Sequence, residues 1–315
     1  MAVIAIVGAG LIGRAWAIAF ARAGHEVRIY DDFAGAADKA VAFATEALSP
    51  LAAEGLLDGQ SIADVAARLM PVATLASALA GAVYVQENTP EDLASKKRVF
   101  AQLDAAAAPD TVLASSTSAL LPSHFTAELA GRARCLVVHP INPPYLIPAA
   151  EIVPAPWTAP EVIDRTRRLL TAAGQSPIVM KREIDGFVMN RLQGALLEEA
   201  FRLVADGYAS VEDVDIGIRE GLALRWSFMG PFETIDLNAP GGVRDYVVRY
   251  QQIYEHLFPS MQRRVDWAGP VLGTVESERR ARLPEADLQK RQAWRDRRLM
   301  ALAAHKRKAA GEIGS

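Results

Sequence analysis

Up to about residue 180 the chain alternates short apolar runs with amphipathic, alanine-rich stretches; beyond Gly186 the apolar runs disappear. Residues 2–7 are continuously apolar, the pattern of a strand buried on both faces of a parallel sheet. Residues 14–23 carry helical spacing and stop at Gly24, a residue suited to the left-handed position that ends a helix. Glu26-Val27-Arg28-Ile29-Tyr30 reads as a second strand and closes a β-α-β unit at Asp31. The same reading predicts helices over about 34–54, 61–69, 91–107 and 160–173. It predicts strands near 70–74, 82–87, 111–115, 135–138, 150–153 and 176–180.

From Gly186 the periodicity is helical, over about 186–207, 211–220, 231–238, 243–257 and 285–308. The polar connection Lys181-Arg182-Glu183-Ile184-Asp185 marks the change. The expected fold is an α/β Rossmann-type N-terminal domain with a mainly parallel sheet, followed by an all-α C-terminal domain. The expected domains are 1–185 and 186–315. A length of 315 residues suits two domains of about 150 each.

Composition narrows the function classes. With 51% hydrophobic and 23% charged residues the chain is not of a disordered type. Lys+Arg 34 against Asp+Glu 37 leaves a net charge of −3, with no general attraction to nucleic acid or an anionic membrane. Arg279, Arg280, Arg282, Lys290, Arg291, Arg295, Arg297 and Arg298 are interleaved with acids, which reads as a solvated or subunit-contact helix face. Cys135 is the single cysteine, so there is no internal disulfide and no basis for a cysteine zinc site. No apolar run reaches the roughly 18 residues of a membrane helix, and the start of the chain lacks a signal-peptide pattern, so a cytoplasmic enzyme is expected.

Gly8-x-Gly10-x-x-Gly13 follows a strand and opens a helix. Gly8 permits the tight turn, Gly10 lets backbone approach a pyrophosphate, and Gly13 lets helix and strand pack closely. The helix start, with Leu11 and Ile12, supplies backbone N–H groups and a partial positive charge for phosphates. Asp31 ends the next strand, where a carboxylate accepts hydrogen bonds from the adenosine ribose; with Asp32 it repels the 2′-phosphate of NADP. The cofactor expected is NAD. No metal is expected.

A second constellation is Ser115-Ser116-Thr117-Ser118, then His139-Pro140-Ile141-Asn142-Pro143-Pro144, then Glu151. The first two follow apolar strands, whose ends face the ligand crevice of an open parallel sheet. Hydride removal from an alcohol needs a base for the hydroxyl proton, and histidine oriented by a carboxylate suits that task near neutral pH. Of His25, His124, His139, His256 and His305, only His139 combines a strand end with nearby polar groups; His25 and His124 read as turn or loop residues, the others as helix surface. Asp185-Gly186-Phe187-Val188-Met189-Asn190-Arg191 opens the helical part, and Asn190 either offers its amide to a substrate oxygen or is an ordinary helix residue.

Together these segments resemble the 3-hydroxyacyl-CoA dehydrogenase family over nearly the whole chain. The resemblance implies an NAD-binding Rossmann domain followed by a helical dimerisation domain, hence a homodimer. It places the catalytic serine on Ser118, the catalytic histidine on His139, its paired glutamate on Glu151 and the family's Gly-Phe-x-x-Asn-Arg asparagine on Asn190. Less directly, the acid and lysine near the nicotinamide half match Glu91 and Lys96. Asn142, in the histidine motif, joins Ser118, Asn190 and Arg225 as an expected substrate contact.

The departures bear on the substrate. Pro140 and Ile141 stand where the family carries two aromatics, and Leu224-Arg225-Trp226-Ser227-Phe228-Met229-Gly230-Pro231-Phe232 replaces its Gly-Tyr-Pro-Met-Gly-Pro-Phe stretch. With Glu233-Thr234 and Arg291-Gln292-Ala293-Trp294-Arg295-Asp296, these resemble the lambda-crystallin and L-gulonate 3-dehydrogenase branch, which acts on free 3-hydroxy acids. The carnitine dehydrogenase branch also carries Leu-Arg-Trp and stays open. Residues 34–57 hold only Lys39 among three acids, a poor surface for the phosphates of a CoA thioester. Arg225, with Arg244 and Arg249 nearby in sequence, is the candidate for a bidentate grip on a substrate carboxylate, against an interhelix salt bridge.

Overall fold

A computed structural model describes residues 1–314. Its eight strands are β1 (Val3–Val7), β2 (Glu26–Tyr30), β3 (Leu69–Pro71), β4 (Ala82–Glu87), β5 (Val112–Ser115), β6 (Cys135–Pro140), β7 (Ala149–Pro154) and β8 (Ser176–Val179). They form one sheet in the order β3-β2-β1-β4-β5-β6-β7-β8. The order reverses between β1 and β4, the switch point where open α/β sheets bind ligands beyond their strand ends. Every pairing is parallel except that of β6 with β7.

Strand alternation divides the core in two. Ile4 and Ile6 of β1 face one apolar cluster with Trp16, Phe20, Leu48 and Leu51; Ala5 and Val7 face the other, with Phe100, Leu103 and Phe125. Helix α1 (Leu11–Arg22) buries Ala15, Ala17, Ala19 and Ala21 as well as Trp16, Ile18 and Phe20, so its alanines bring good helix propensity and close packing on the sheet. It gives way to Gly24 at φ +86°, as the sequence suggests.

The antiparallel step has a simple cause. Only residues 141–148 join β6 to β7, and three of them, Pro143, Pro144 and Pro148, cannot continue a helix. A parallel crossover needs a dozen or more residues, so the chain can only turn back beside the strand it has just left.

The chain divides into two compact units, Met1–Met189 with Asp296–His305, and Asn190–Arg295 with 306–314. Met300 of the last helix, Leu288–Ile313, is 4% exposed and belongs to the same apolar cluster as Trp16, with Leu299, Ala303 and Ala304 packed around it. The second unit is helical. One helix there, Pro270–Arg282, has no counterpart in the sequence reading: Val271 is its one buried residue, so it carries no apolar stripe to read. The helix expected over 211–220 is an α-helix, Val211–Ile216, running into a π-helix, Gly217–Leu222. His124, read as a loop residue, lies in the short helix Pro122–Thr126.

His25, in the turn between α1 and β2, generates a stability prediction. Both ring nitrogens are buried without a hydrogen-bond partner, and the ring meets Phe20 edge-on at 6.3 Å. Burial pushes its pKa down, helped by the N-terminal ammonium and Arg68. The unfolded chain therefore binds the proton first, near pH 6.5. The stability that neutral His25 contributes is complete above that pH and is lost as pH falls through the lower folded-state value. His25→Phe, which keeps a ring against Phe20, should remove this part of the pH slope. Thermal unfolding from pH 7.5 to 5 checks it; an unchanged slope in the variant refutes it.

Candidate active site

The turn after β1 is built around its glycines. Gly8 donates its N–H to the Tyr30 carbonyl at 2.9 Å. It sits at φ +92°, and a Cβ there would lie 2.8 Å from the Asn88 carbonyl. A Cβ on Gly13 would lie 1.9 Å from the Gly8 carbonyl oxygen, so the first turn of α1 packs directly on backbone. Gly10 is different: a Cβ there would meet nothing within 4 Å, which leaves the helix start open. No side chain caps α1 at Gly10, so the first-turn amides beginning with Leu11, Ile12 and Gly13 are left for an anion.

Asp31 stands at the mouth of this turn. One carboxylate oxygen accepts from the Ala9 N–H at 2.7 Å, the other from Phe33 N–H at 2.9 Å. Each oxygen keeps a lone pair for a ribose hydroxyl. Asp32 is exposed and accepts from the Tyr30 hydroxyl at 2.6 Å, which raises the pKa of that phenol. An uncapped helix start, an open glycine and an anchored carboxylate fit the pyrophosphate and adenosine ribose of NAD.

Beyond β4 and β5 two carboxylates hold the chain. Glu91 does not meet Lys96, with which the sequence reading groups it. Its Oε1 accepts from Thr117 Oγ1 at 2.5 Å and from the N–H groups of Ser118 and Ala119 at 3.0 Å each, so it brackets the turn that carries Ser118. Lys96 pairs with Glu87: its Nζ reaches the two carboxylate oxygens at 2.8 and 2.9 Å and the Thr89 carbonyl at 2.9 Å. Its three hydrogens are thus engaged and its side chain is 1% exposed. Asp92 caps the helix Leu93–Ala106 by accepting from Ser95 N–H, which lowers its own pKa and sets Lys96 in the first buried turn.

The antiparallel pairing sets His139 directly opposite Glu151. His139 Nδ1 and Glu151 Oε2 are 2.6 Å apart. Glu151 is fully buried, and its Oε1 accepts from the N–H groups of Val188 and Met189 at 2.7 and 2.8 Å. These amides sit at the start of the helix Met189–Ala205, where the peptide dipoles favour a negative charge. Phe187, at φ +49°, turns the chain so that they face the carboxylate. Its buried ring flanks the imidazole at 5.6 Å. With Nδ1 bound to a carboxylate, the neutral ring carries its proton there and a lone pair on Nε2. Nε2 has no hydrogen-bond partner among the described residues.

Ser118 and Asn142 are exposed on the first unit, Asn142 before a cis bond to Pro143. Asn190 lies in the first turn of its helix. Arg225, in the second unit, lines a cavity of about 540 Å³ with Gly217, Gly221, Leu222, Leu224 and Phe228. Its Nε is buried without a partner, and no described acid forms an ion pair with it. Arg249, by contrast, is taken by Asp245 at 2.7 Å. Burial above all pushes the Cys135 thiol up to about 12, which removes it as a nucleophile.

Glu87 and the two amides on Glu151 have no place in the sequence motifs, and Thr117 and Phe187 lie within those motifs without an assigned role. Glu87 had a signal, a carboxylate closing a strand that is apolar up to Gln86. The amides had none, because backbone donors carry no sequence mark.

The family model described as the 3-hydroxyacyl-CoA dehydrogenase NAD binding domain matches residues 3–184, and that of the C-terminal domain matches 186–269. The chain is 41% identical to lambda-crystallin of Oryctolagus cuniculus over 308 residues, 96% of each chain. It is 40% identical to L-carnitine dehydrogenase of Streptomyces griseus over 258 residues, 82% of this chain and 74% of that one. The solved 5-formyl-3-hydroxy-2-methylpyridine 4-carboxylic acid 5-dehydrogenase, an NAD-dependent dismutase, superposes with a TM-score of 0.81 at 28% identity, covering 99% of each chain. With two family domains in order and relatives along its length, the chain belongs to the 3-hydroxyacyl-CoA dehydrogenase family and is an NAD-dependent oxidoreductase.

Proposed function

We propose that the protein oxidises a free 3-hydroxy acid to the 3-keto acid, most like L-gulonate 3-dehydrogenase. The observation that carries this reading is the His139–Glu151 pair with Nε2 unclaimed. When bound, NAD supplies the hydride acceptor. Gly8, Gly10, Leu11, Ile12, Gly13 and Asp31 hold its adenosine and pyrophosphate side; Glu91 and Lys96 serve the nicotinamide side, Lys96 through the loop it braces. His139 takes the hydroxyl proton at Nε2, and Glu151 stabilises the imidazolium through Nδ1–H. Ser118 and Asn190 donate to the reacting oxygen, with Asn142 a further substrate contact. In reduction the imidazolium returns the proton.

The free-acid reading is supported by Arg225, a guanidinium without an acid partner among the described residues, on an otherwise apolar cavity. The helix Ala36–Ala53 adds only Lys39 against Asp38 and Glu46, so it offers little to a CoA phosphate. Similarity to L-carnitine dehydrogenase keeps a second reading, since carnitine is itself a free 3-hydroxy acid; short-chain 3-hydroxyacyl-CoA oxidation is the other alternative. We assign 1–185 to NAD binding and 186–315 to substrate and subunit contact. Phe228, Phe232, Leu237 and Val248, exposed at 71%, 80%, 69% and 79%, support a homodimer through the helical part.

Asp31→Ala should raise KM for NAD and narrow its advantage over NADP; a wild type that uses both equally would contradict the assignment of this carboxylate.

His139→Ala and Glu151→Ala should each lower turnover by about 10²–10⁴-fold. Calorimetry should still find NAD bound. Near wild-type turnover by His139→Ala excludes the mechanism.

Arg225→Met should weaken turnover of 3-hydroxy acids by about 10- to 100-fold, the worth of a charge-assisted pair of roughly 1.5–3 kcal/mol. Arg225→Lys should recover part of it. A neutral ester of the same acid should be a poor substrate and insensitive to the change. Equal losses on acid and ester would make Arg225 structural, and better turnover of a CoA thioester than of any free acid would overturn the substrate class.

A further inference from the structure

Glu87 closes β4 and is fully buried, yet neither the glycine turn nor the histidine pair uses it. Donors from three chain segments converge on its carboxylate. Lys96 Nζ, on the helix Leu93–Ala106, reaches both oxygens. Thr89, on the loop after β4, donates its N–H at 2.6 Å and its hydroxyl at 2.5 Å to Oε1. Ser115 Oγ, at the end of β5, donates to Oε2 at 2.6 Å. Lys96 alone would neutralise the charge, so the remaining bonds serve geometry.

Two chains of contacts leave this carboxylate. Ser115 Oγ, having spent its hydrogen on Glu87, accepts from the Thr117 N–H at 3.2 Å, inside the turn that carries Ser118. Lys96 turns its third hydrogen to the Thr89 carbonyl, which closes the loop leading to Glu91. Glu91 then takes the Ser118 N–H at 3.0 Å. The Ser118 turn is therefore gripped from two sides, and both grips trace to Glu87.

We propose that Glu87 is the positioning residue for Ser118: it touches neither substrate nor cofactor and acts through Ser115, Thr89 and Lys96. The proposal rests on the reading of Ser118 as a donor to the reacting oxygen. Only a carboxylate of this length serves. A glutamine would turn its amide hydrogens toward the Lys96 ammonium or the Ser115 hydroxyl, donor against donor. An aspartate falls one methylene short.

The test uses Glu87→Gln and the double variant Glu87→Gln/Lys96→Met, which removes the buried unpaired ammonium left by the single change and so keeps a folded protein to measure. Three quantities are read: the affinity for ADP-ribose, which reports the adenosine side alone; kcat for the hydroxy acid; and the deuterium isotope effect on kcat with substrate labelled at C3. Both variants should bind ADP-ribose as the wild type does, lose about 10- to 100-fold in kcat, the effect of misplacing a reacting group by an ångström or less, and show a larger isotope effect. A double variant with wild-type kcat overturns the proposal. So does a parallel loss of ADP-ribose binding and kcat, which would mark the network as a general scaffold. Failure of the underlying reading shows elsewhere, as wild-type kcat in Ser118→Ala with Glu87 intact.

Discussion

Glu151 ties together three stretches of chain that are far apart in sequence. One oxygen holds the imidazole on β6, the other takes the two amides at the start of the first long helix of the C-terminal half, and β7 carries the carboxylate itself. A buried carboxylate without partners is costly; one with three charge-assisted bonds and a helix start is tolerable. Much of the surrounding geometry serves this one group: the antiparallel return of β7 that sets it opposite His139, and the left-handed turn at Phe187 that aims two amides at it.

The sheet supplies the rest of the setting. Its order reverses between β1 and β4, so the glycine turn after β1 lies beside the loops that follow β4 and β5. At Gly8 and Gly13 the cofactor turn is held by backbone packing, where even one methyl group would clash. The loops after β4 and β5 are held instead by buried charge. Close backbone approach suits a pyrophosphate, which needs amides; fixed polar networks suit a reacting centre, which needs side chains in one orientation.

The two halves of the chain are stabilised differently. The sheet domain has two dense apolar clusters and draws Met300 of the last helix into one of them. The helical part leaves Phe228, Phe232, Leu237 and Val248 largely exposed, and Arg225, beside Phe228 in its cavity, has no acid partner among the described residues.

Features written in local pattern were legible along the chain: alternating strands and helices, the glycine fingerprint with Asp31, the strand-end position of His139, and, through the family resemblance, its pairing with Glu151. These were legible because period, turn chemistry and motif spacing are short-range. The antiparallel pairing was half legible, since eight residues with three prolines leave no room for a crossover. The tertiary structure decided the rest. The partner of Lys96 is Glu87, nine positions away on another element, and the partner of Glu91 is a turn more than twenty-five positions away. The helix Pro270–Arg282 lacks an apolar stripe, and Met300 finds its place in a core assembled from the other end of the chain. Such partners are chosen by where the packed sheet brings strand ends and loops together, and that choice is not encoded within any one stretch of sequence.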